Sequence, residues 1–214
     1  MTTSRILIVG ASRGIGLEFA RQYAEAGWIV HATTRSPAAP GPLGALLGDV
    51  HLHGFDATED PTGLIESVGK LDVLIHNAGV GRGTPRDLMM AVNTEAPIRV
   101  VQAFLEAGSL IEGGKVAIIT SQMGARRGSS ESLGDYGDSK AALNDEFRAR
   151  AGAWAELGVV AVVVHPGWVR TDMGGSSAPL SVEESVEEMR RLVEQLDPDH
   201  HGGFYNWDGR EHDW

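Results

Sequence analysis

The sequence has 214 residues, with 18 Lys or Arg against 29 Asp or Glu, a formal net charge of −11 and no cysteine. That length suits a single domain with a substantial core, and the acidic balance opposes any general attraction to nucleic acid or anionic lipid. Disulfides, a thiolate nucleophile and a cysteine zinc site are excluded, which leaves a small molecule as the expected partner.

Taken in chain order, residues 5–10 read as a first strand with no signal-peptide pattern ahead of it, so a cytoplasmic location is the expectation. Gly10-Ala11-Ser12-Arg13-Gly14-Ile15-Gly16 follows at once and leads into a helix over 14–26. Glycines are needed in such a turn because side chains would hold the backbone away from a pyrophosphate. The free N–H groups and the positive end of the helix dipole stabilise that anion. A second strand over 29–34 ends on Thr34, with Arg35 next, and 37–48 is a Pro/Gly/Ala-rich connection too short to be an interdomain linker.

A third strand over 51–55 precedes Asp56 and Ala57, and a helix is expected over 61–68. The fourth strand, 73–76, runs straight into Asn77-Ala78-Gly79, and a helix over 88–107 carries Asn93. The fifth strand, 115–121, ends on Ser121, ahead of a helix over 137–157 with Tyr136 and Lys140 at its start. The sixth, 159–165, holds the longest apolar run, far short of the ~20 residues that cross a bilayer. Pro166, Gly167, Val169 and Thr171 come after it. Val182, Val186, Met189, Val193 and Leu196 recur at helical spacing opposite acidic residues, so 182–196 is a surface helix, and 203–206 supplies a seventh strand. The alternation predicts one α/β domain, a Rossmann-type, doubly wound, mostly parallel seven-stranded sheet with helices on both faces.

The GxxxGxG turn, Asn77-Ala78-Gly79, Tyr136-x-x-x-Lys140 and Pro166-Gly167 with Thr171 occur in this order at the carboxyl ends of expected strands. Together they resemble the short-chain dehydrogenase/reductase superfamily across essentially the whole chain. The stretch from His165 through Gly175 looks most like its small carbonyl-reductase-like branch, the one with the C-factor and sniffer proteins. The resemblance implies hydride transfer between a nicotinamide cofactor and a carbonyl or alcohol, with Tyr136 as acid/base, Lys140 beside it as cation and ribose ligand, and Ser121 polarising the carbonyl. It implies that Asn93 uses its backbone to hold a water of a proton relay. By the same resemblance the cofactor touches Gly10, Ser12, Arg13, Gly14, Ile15, Gly16, Thr34, Arg35, Asp56, Ala57, Asn77, Ala78, Gly79, Pro166, Gly167, Val169 and Thr171. Asn77 is chiefly a buttress of the central strands. Trp168, Met173 and residues 174–180 fall where the family has a mobile substrate loop.

Thr34 stands where an NAD-selective site carries an acid, and Arg35 and Arg13 can bond a 2′-phosphate. NADP(H) is therefore the expected cofactor, with NAD(H) second. Three departures from the family pattern stand out. Val9 replaces a threonine, which removes a strand-linking hydrogen bond. Asn77 and Asn93 are separated by only 15 positions, which shortens a helix that commonly forms a dimer surface and leaves homodimer and homotetramer both open. Ser121 and Tyr136 have 14 residues between them, with a bulge expected over 128–134. Ser129, Ser130 and Ser132 lie there, but Ser121, held by the sheet, is the expected catalytic hydroxyl. His200, His201 and His212 read as solvated loop histidines with no metal-ligand spacing. The alternative to an enzyme is a non-catalytic dinucleotide-binding regulatory or signalling protein of the same fold.

Overall fold

The computed structural model describes residues 3–125 and 134–214. Its strands are β1 (Arg5–Val9), β2 (Ile29–Thr34), β3 (Val50–Gly54), β4 (Leu71–His76), β5 (Leu110–Ile119), β6 (Val160–His165) and β7 (Phe204–Asn206). They form one sheet in the order β3-β2-β1-β4-β5-β6-β7, and every neighbouring pair is parallel, so the sheet expected to be mostly parallel is parallel throughout.

Parallel neighbours need crossovers, and the crossover helices cover both faces, which is why the central strands are apolar on both sides. Ile6, Ile8, Val73, Ile75, Val162 and Val164 pack with Phe19 and Tyr23 of α1 (Gly14–Glu25) and Met189 and Val193 of α6 (Val182–Gln195). On the other face Leu7, Val9, Leu74, Ile118 and Val163 meet α2 (Thr62–Val68), α4 (Ala96–Glu106) and α5 (Gly134–Ala155) through Val68, Phe104, Phe147 and Trp154. Each such side chain contributes about 1.5–3 kcal/mol on burial, and the two layers fix the sheet edges that carry the site. The amphipathic helix begins as its sequence dictates: Ser181 accepts from the Glu184 N–H, and the Glu184 carboxylate returns to the Ser181 N–H.

Several boundaries move, each for a local reason. β5 begins at Leu110 rather than 115, because Leu71 pairs with Leu110 before the register shifts. The glycines that absorb the shift, Gly113 and Gly114, disguise the strand. The helix expected over 88–107 starts earlier and in pieces: α3 (Arg86–Met90), one π-helical turn (Ala91–Glu95) and then α4. The connection over 37–48 contains a short 3₁₀ turn, Gly41–Ala45, anchored by buried Leu43. Among the described residues, no helix is long and apolar enough to cross a membrane.

Candidate active site

The chain runs outward from β1 through β2 to β3 and then returns across the sheet to β4, leaving a crevice at the carboxyl ends of β1 and β4. Gly10 leaves β1 at φ +85°, and its N–H donates to Thr33 Oγ1 at 2.9 Å. A methyl group on Gly10 would lie 2.7 Å from Ala78 Cα; one on Gly16 would lie 2.0 Å from the Gly10 carbonyl oxygen. Asn77 Nδ2 donates to that same carbonyl at 2.8 Å, so the side chain ties the end of β4 to the end of β1. Val9 offers no side-chain hydrogen bond, and the strand ends are joined there by the main chain: the Asn77 and Ala78 N–H groups both donate to Val9 O, at 3.0 and 2.9 Å. With Arg13 at its N-cap position, α1 has no side-chain cap and no acidic residue in its first turn. The N–H groups there are left for an anion.

Tyr136 stands in the first turn of α5, with Lys140 one turn further on the same face. Ser121 lies two residues past the last residue of β5, not at its end as expected. The sheet still holds it closely, because the Thr120 N–H donates to Val164 O at 2.8 Å. The Ser121 hydroxyl accepts from the Met123 N–H at 3.1 Å and is hydrogen-bonded to the Tyr136 phenol. Lys140, only 4% exposed, donates from Nζ to Ile119 O at 2.9 Å, and a methyl group on Gly79 would sit 3.8 Å from that Nζ. Ser129, Ser130, Ser132 and most of the expected bulge lie outside the described residues, and Gly134 already begins α5.

Asn93 sits in the π-helical turn and is completely buried. Its Oδ1 accepts from the Val80 N–H at 2.8 Å, while its Nδ2 donates to Val80 O at 2.9 Å and to Ser139 Oγ at 3.1 Å. Ser139 in turn donates to Tyr136 O at 2.8 Å. One carboxamide thus couples the segment after Asn77-Ala78-Gly79 to the helix that carries Tyr136.

The short chain dehydrogenase family model matches residues 4–179. The chain belongs to the short-chain dehydrogenase family. The C-signal protein of Myxococcus xanthus is 38% identical over 158 residues, 68% of this chain and 94% of its own. A short-chain dehydrogenase/reductase of Burkholderia multivorans, solved with bound NADP, superposes with a TM-score of 0.89 at 30% identity over 100% of both chains. A carbonyl reductase of Pseudomonas aeruginosa, solved in complex with NADP, gives 0.84 at 34% identity, again over 100% of both.

The electrostatics of this dehydrogenase's site follow from burial. Burial raises the Tyr136 phenol above its ordinary value, and the Ser121 hydrogen bond and the positive charge of Arg82 pull it partly back. Arg82, a residue outside every motif read from the sequence, thus contributes positive charge at the phenol, and Lys140 donates to Ile119 O. Burial alone pushes the Lys140 ammonium down to about 8. Ser139, read only as a spacer between Tyr136 and Lys140, and Thr33 were also missed. Their roles depend on partners distant in sequence, which no local spacing reveals.

The remaining expected residues surround the crevice unevenly. Gly14 faces Thr171, whose methyl carbon would be 3.5 Å from a Cβ placed there, and Ser12, Arg13 and Ile15 complete the turn. Arg13 is engaged by Asp172 at 2.9 Å in an exposed ion pair that crosses from the glycine turn to the segment after β6. Thr34 is buried, with its Oγ1 accepting from the Ser36 N–H at 3.2 Å, and Arg35 beyond it is exposed. The Asp56 carboxyl is held below its usual value by the Thr58 N–H and hydroxyl and by the charge of Arg35. The Ala57 carbonyl accepts from Arg99 at 2.7 Å.

After β6, Pro166 O accepts from Ser185 Oγ at 2.6 Å, and Gly167, at φ +83°, fits under Leu180 and Trp207. Val169 bridges to Leu180, and the Trp168 indole donates to Gly174 O at 2.8 Å, so the expected mobile segment is laced by its own hydrogen bonds while Trp168 and Met173 stay more than half exposed. Two of the three histidines expected to be solvated are partnered inside the fold. His201 Nδ1 accepts from the Ala161 N–H at 3.1 Å and Nε2 bonds Ala151 O at 2.7 Å, while His212 stacks on Phe204. His200 pairs with Asp197 at 2.6 Å.

Proposed function

We propose that this chain is an NADP(H)-dependent carbonyl reductase acting on a small molecule, with Ser121 and Tyr136 at the substrate oxygen. The observation that carries the reading is the Ser121 hydroxyl, two residues past β5, bonded to the Tyr136 phenol, one helical turn from the buried Lys140.

The residues present fit a dinucleotide. The uncapped first turn of α1, with the close-packed Gly10 and Gly16 and with Gly14 at positive φ, would hold a pyrophosphate. Asn77, Ala78, Gly79, Pro166, Gly167, Val169 and Thr171 would line the rest of the crevice, and Asp56 and Ala57 its adenine end. Arg35, and Arg13 once released from Asp172, offer charge-assisted bonds to a 2′-phosphate, and no acid stands at Thr34 to bond a free ribose hydroxyl. When bound, the cofactor supplies or accepts the hydride. Tyr136 delivers the proton to the carbonyl oxygen, which its raised pKa keeps available at neutral pH, while Ser121 donates a hydrogen bond to the same oxygen as charge develops. Lys140 places a cation in a low-dielectric position one turn away, and the Asn93 carboxamide fixes the segment that roofs it.

Turnover measured with NADPH and NADH side by side, across aldehydes, ketones and quinones, tests the reading. Reduction with kcat/KM at least about tenfold higher for NADPH is the expected result, a difference of ~1.4 kcal/mol that one charge-assisted pair supplies. Equal or better performance with NADH overturns the cofactor assignment. The identity with C-signal favours a second reading, a dinucleotide-binding signalling protein; it predicts retained cofactor and no turnover of any carbonyl in that panel.

A further inference from the structure

A cavity of about 230 Å³ opens beside Tyr136, bounded by Arg82, Gly83, Thr84, Met89, Gly134 and Asp135. Two observations concern its charge. Asp135, the only acid among the described residues of the wall, is already engaged by Arg86 at 2.5 Å. Arg82 makes no hydrogen bond or ion pair with the described residues, yet its charge is felt at the Tyr136 phenol. Among the described residues, the wall therefore presents a guanidinium with no hydrogen bond or ion pair, close enough to the proton-donating group to act on it. Arg82 is exposed, and the backbone two residues before it is anchored, because the Asn93 carboxamide clamps Val80 from both sides.

Resting on the carbonyl-reductase reading, we propose that Arg82 is a specificity-determining residue that binds a carboxylate, so that the preferred substrates are small oxo-acids, aldehydes or ketones that carry an anionic group away from the reacting carbonyl. The cavity is smaller than the ~300–1,000 Å³ of typical ligand pockets, which limits the substrate to a small molecule. A guanidinium that no described residue engages binds a carboxylate bidentately without breaking an ion pair to any of them. The net charge of −11 repels anions at long range, but that field is screened beyond about 8 Å at physiological salt, and the discrimination arises in direct contact. Met89 adds an apolar side chain to the wall and Thr84 a hydroxyl.

The test compares 4-carboxybenzaldehyde with its methyl ester, 4-(methoxycarbonyl)benzaldehyde, which keeps the ring and the aldehyde and removes the charge. Wild-type protein with NADPH is expected to show a kcat/KM at least about tenfold higher for the carboxylate, carried mainly by KM. Arg82→Gln collapses that ratio to near one, and Arg82→Lys, which keeps the charge and loses the fork, restores part of it. A ratio of one in the wild type, or a ratio that survives Arg82→Gln, overturns the proposal, and turnover of the ester then leaves the carbonyl-reductase reading standing. If neither aldehyde is reduced, the reductase reading fails and the anion site is tested by itself: terephthalate is titrated into the NADP-loaded protein by calorimetry. Binding abolished by Arg82→Gln upholds the anion site, and absent or unaltered binding removes it.

Discussion

Lys140 Nζ and the carbonyl oxygen of Ile119 are joined by a 2.9 Å hydrogen bond in a position with almost no solvent access. The ammonium is held there against its own desolvation, which is what lowers its pKa to about 8. A folded-state value below the ordinary 10.5 means the folded chain binds fewer protons than the unfolded one between about pH 8 and 10.5. The contribution of this group to stability therefore rises with pH over that window and is unfavourable below it.

Lys140→Met should accordingly be more stable than the wild type at pH 7. A shift of this size corresponds to about 3 kcal/mol, from which the orphaned Ile119 carbonyl takes back about 1–3. The expected result is a Tm raised by up to a few degrees together with loss of turnover. A Tm that falls at pH 7 contradicts the assignment of Lys140 as a desolvated cation kept for function. In the wild type, carbonyl reduction should decline as pH rises through about 8, where the ammonium is lost.

Tyr136→Phe keeps the ring and removes the acid. It should fold, bind NADPH and lose at least about 10²-fold in kcat. Ser121→Ala should cost a similar factor and has a second signature. The Ser121 hydrogen bond is one of the interactions that lower the phenol's pKa, so without it the alkaline pH limb for alcohol oxidation moves to higher pH. A tenth or more of wild-type kcat in Tyr136→Phe, or an unmoved limb in Ser121→Ala, contradicts the roles assigned to them.

Asp172 and Arg13 pair across the mouth of the crevice, and Arg13 is one of two cations offered to a 2′-phosphate. Both side chains are exposed, so the pair contributes little to stability, and releasing Arg13 should show chiefly in binding. Asp172→Asn is expected to tighten NADPH binding by a few-fold with NADH affinity unaltered and Tm within about a degree. Equal gains for both cofactors would mean that Asp172 repels the shared pyrophosphate and has no selective effect through Arg13. The measurement is cofactor affinity by protein fluorescence quenching or calorimetry.

Acid should weaken the fold before its carboxylates titrate. Burial, with the neighbouring His53 and His51, holds His31 at about 4; burial and His212 hold His165 at about 4; burial and the Lys140 charge hold His76 at about 3. All lie below the ~6.5 of an unfolded histidine, so the stability they contribute is complete above about pH 6.5 and is lost progressively toward pH 4 and 3. His76 is the sharpest case, because neither of its ring nitrogens has a hydrogen-bond partner among the described residues. Urea midpoints taken at pH 7.5, 5.5 and 4.5 should fall in that order, and His76→Leu should flatten the decline. A midpoint constant from 7.5 to 4.5 contradicts it.

Much of this arrangement is written locally in the chain. Strand, glycine turn and helix follow one another within residues 5–25, and close packing of Gly10 and Gly16 against their neighbours is the reason those glycines stand where they do. The Tyr136 and Lys140 pair is equally local, one helical turn apart. What escaped the sequence is non-local. Arg82 gains its meaning only when residues 80–85 fold back toward the first turn of α5, and Ser139 only when Asn93 reaches it from 46 residues away. The start of β5 was hidden because Gly113 and Gly114 absorb a register shift that hydrophobic patterning does not register.

The all-parallel sheet also sets how the chain must assemble. Arg5 pairs with Ile29, and Ile6 with Val73, so no two neighbouring strands are joined by a hairpin and each pairing waits for a whole crossover to be laid down. Closing such long loops before any contact rewards them is slow, and β1 keeps an open edge until β4 arrives. During synthesis that unpaired, apolar edge is the point at which this chain is most exposed to association with other chains, and the refolding yield should therefore fall as protein concentration rises.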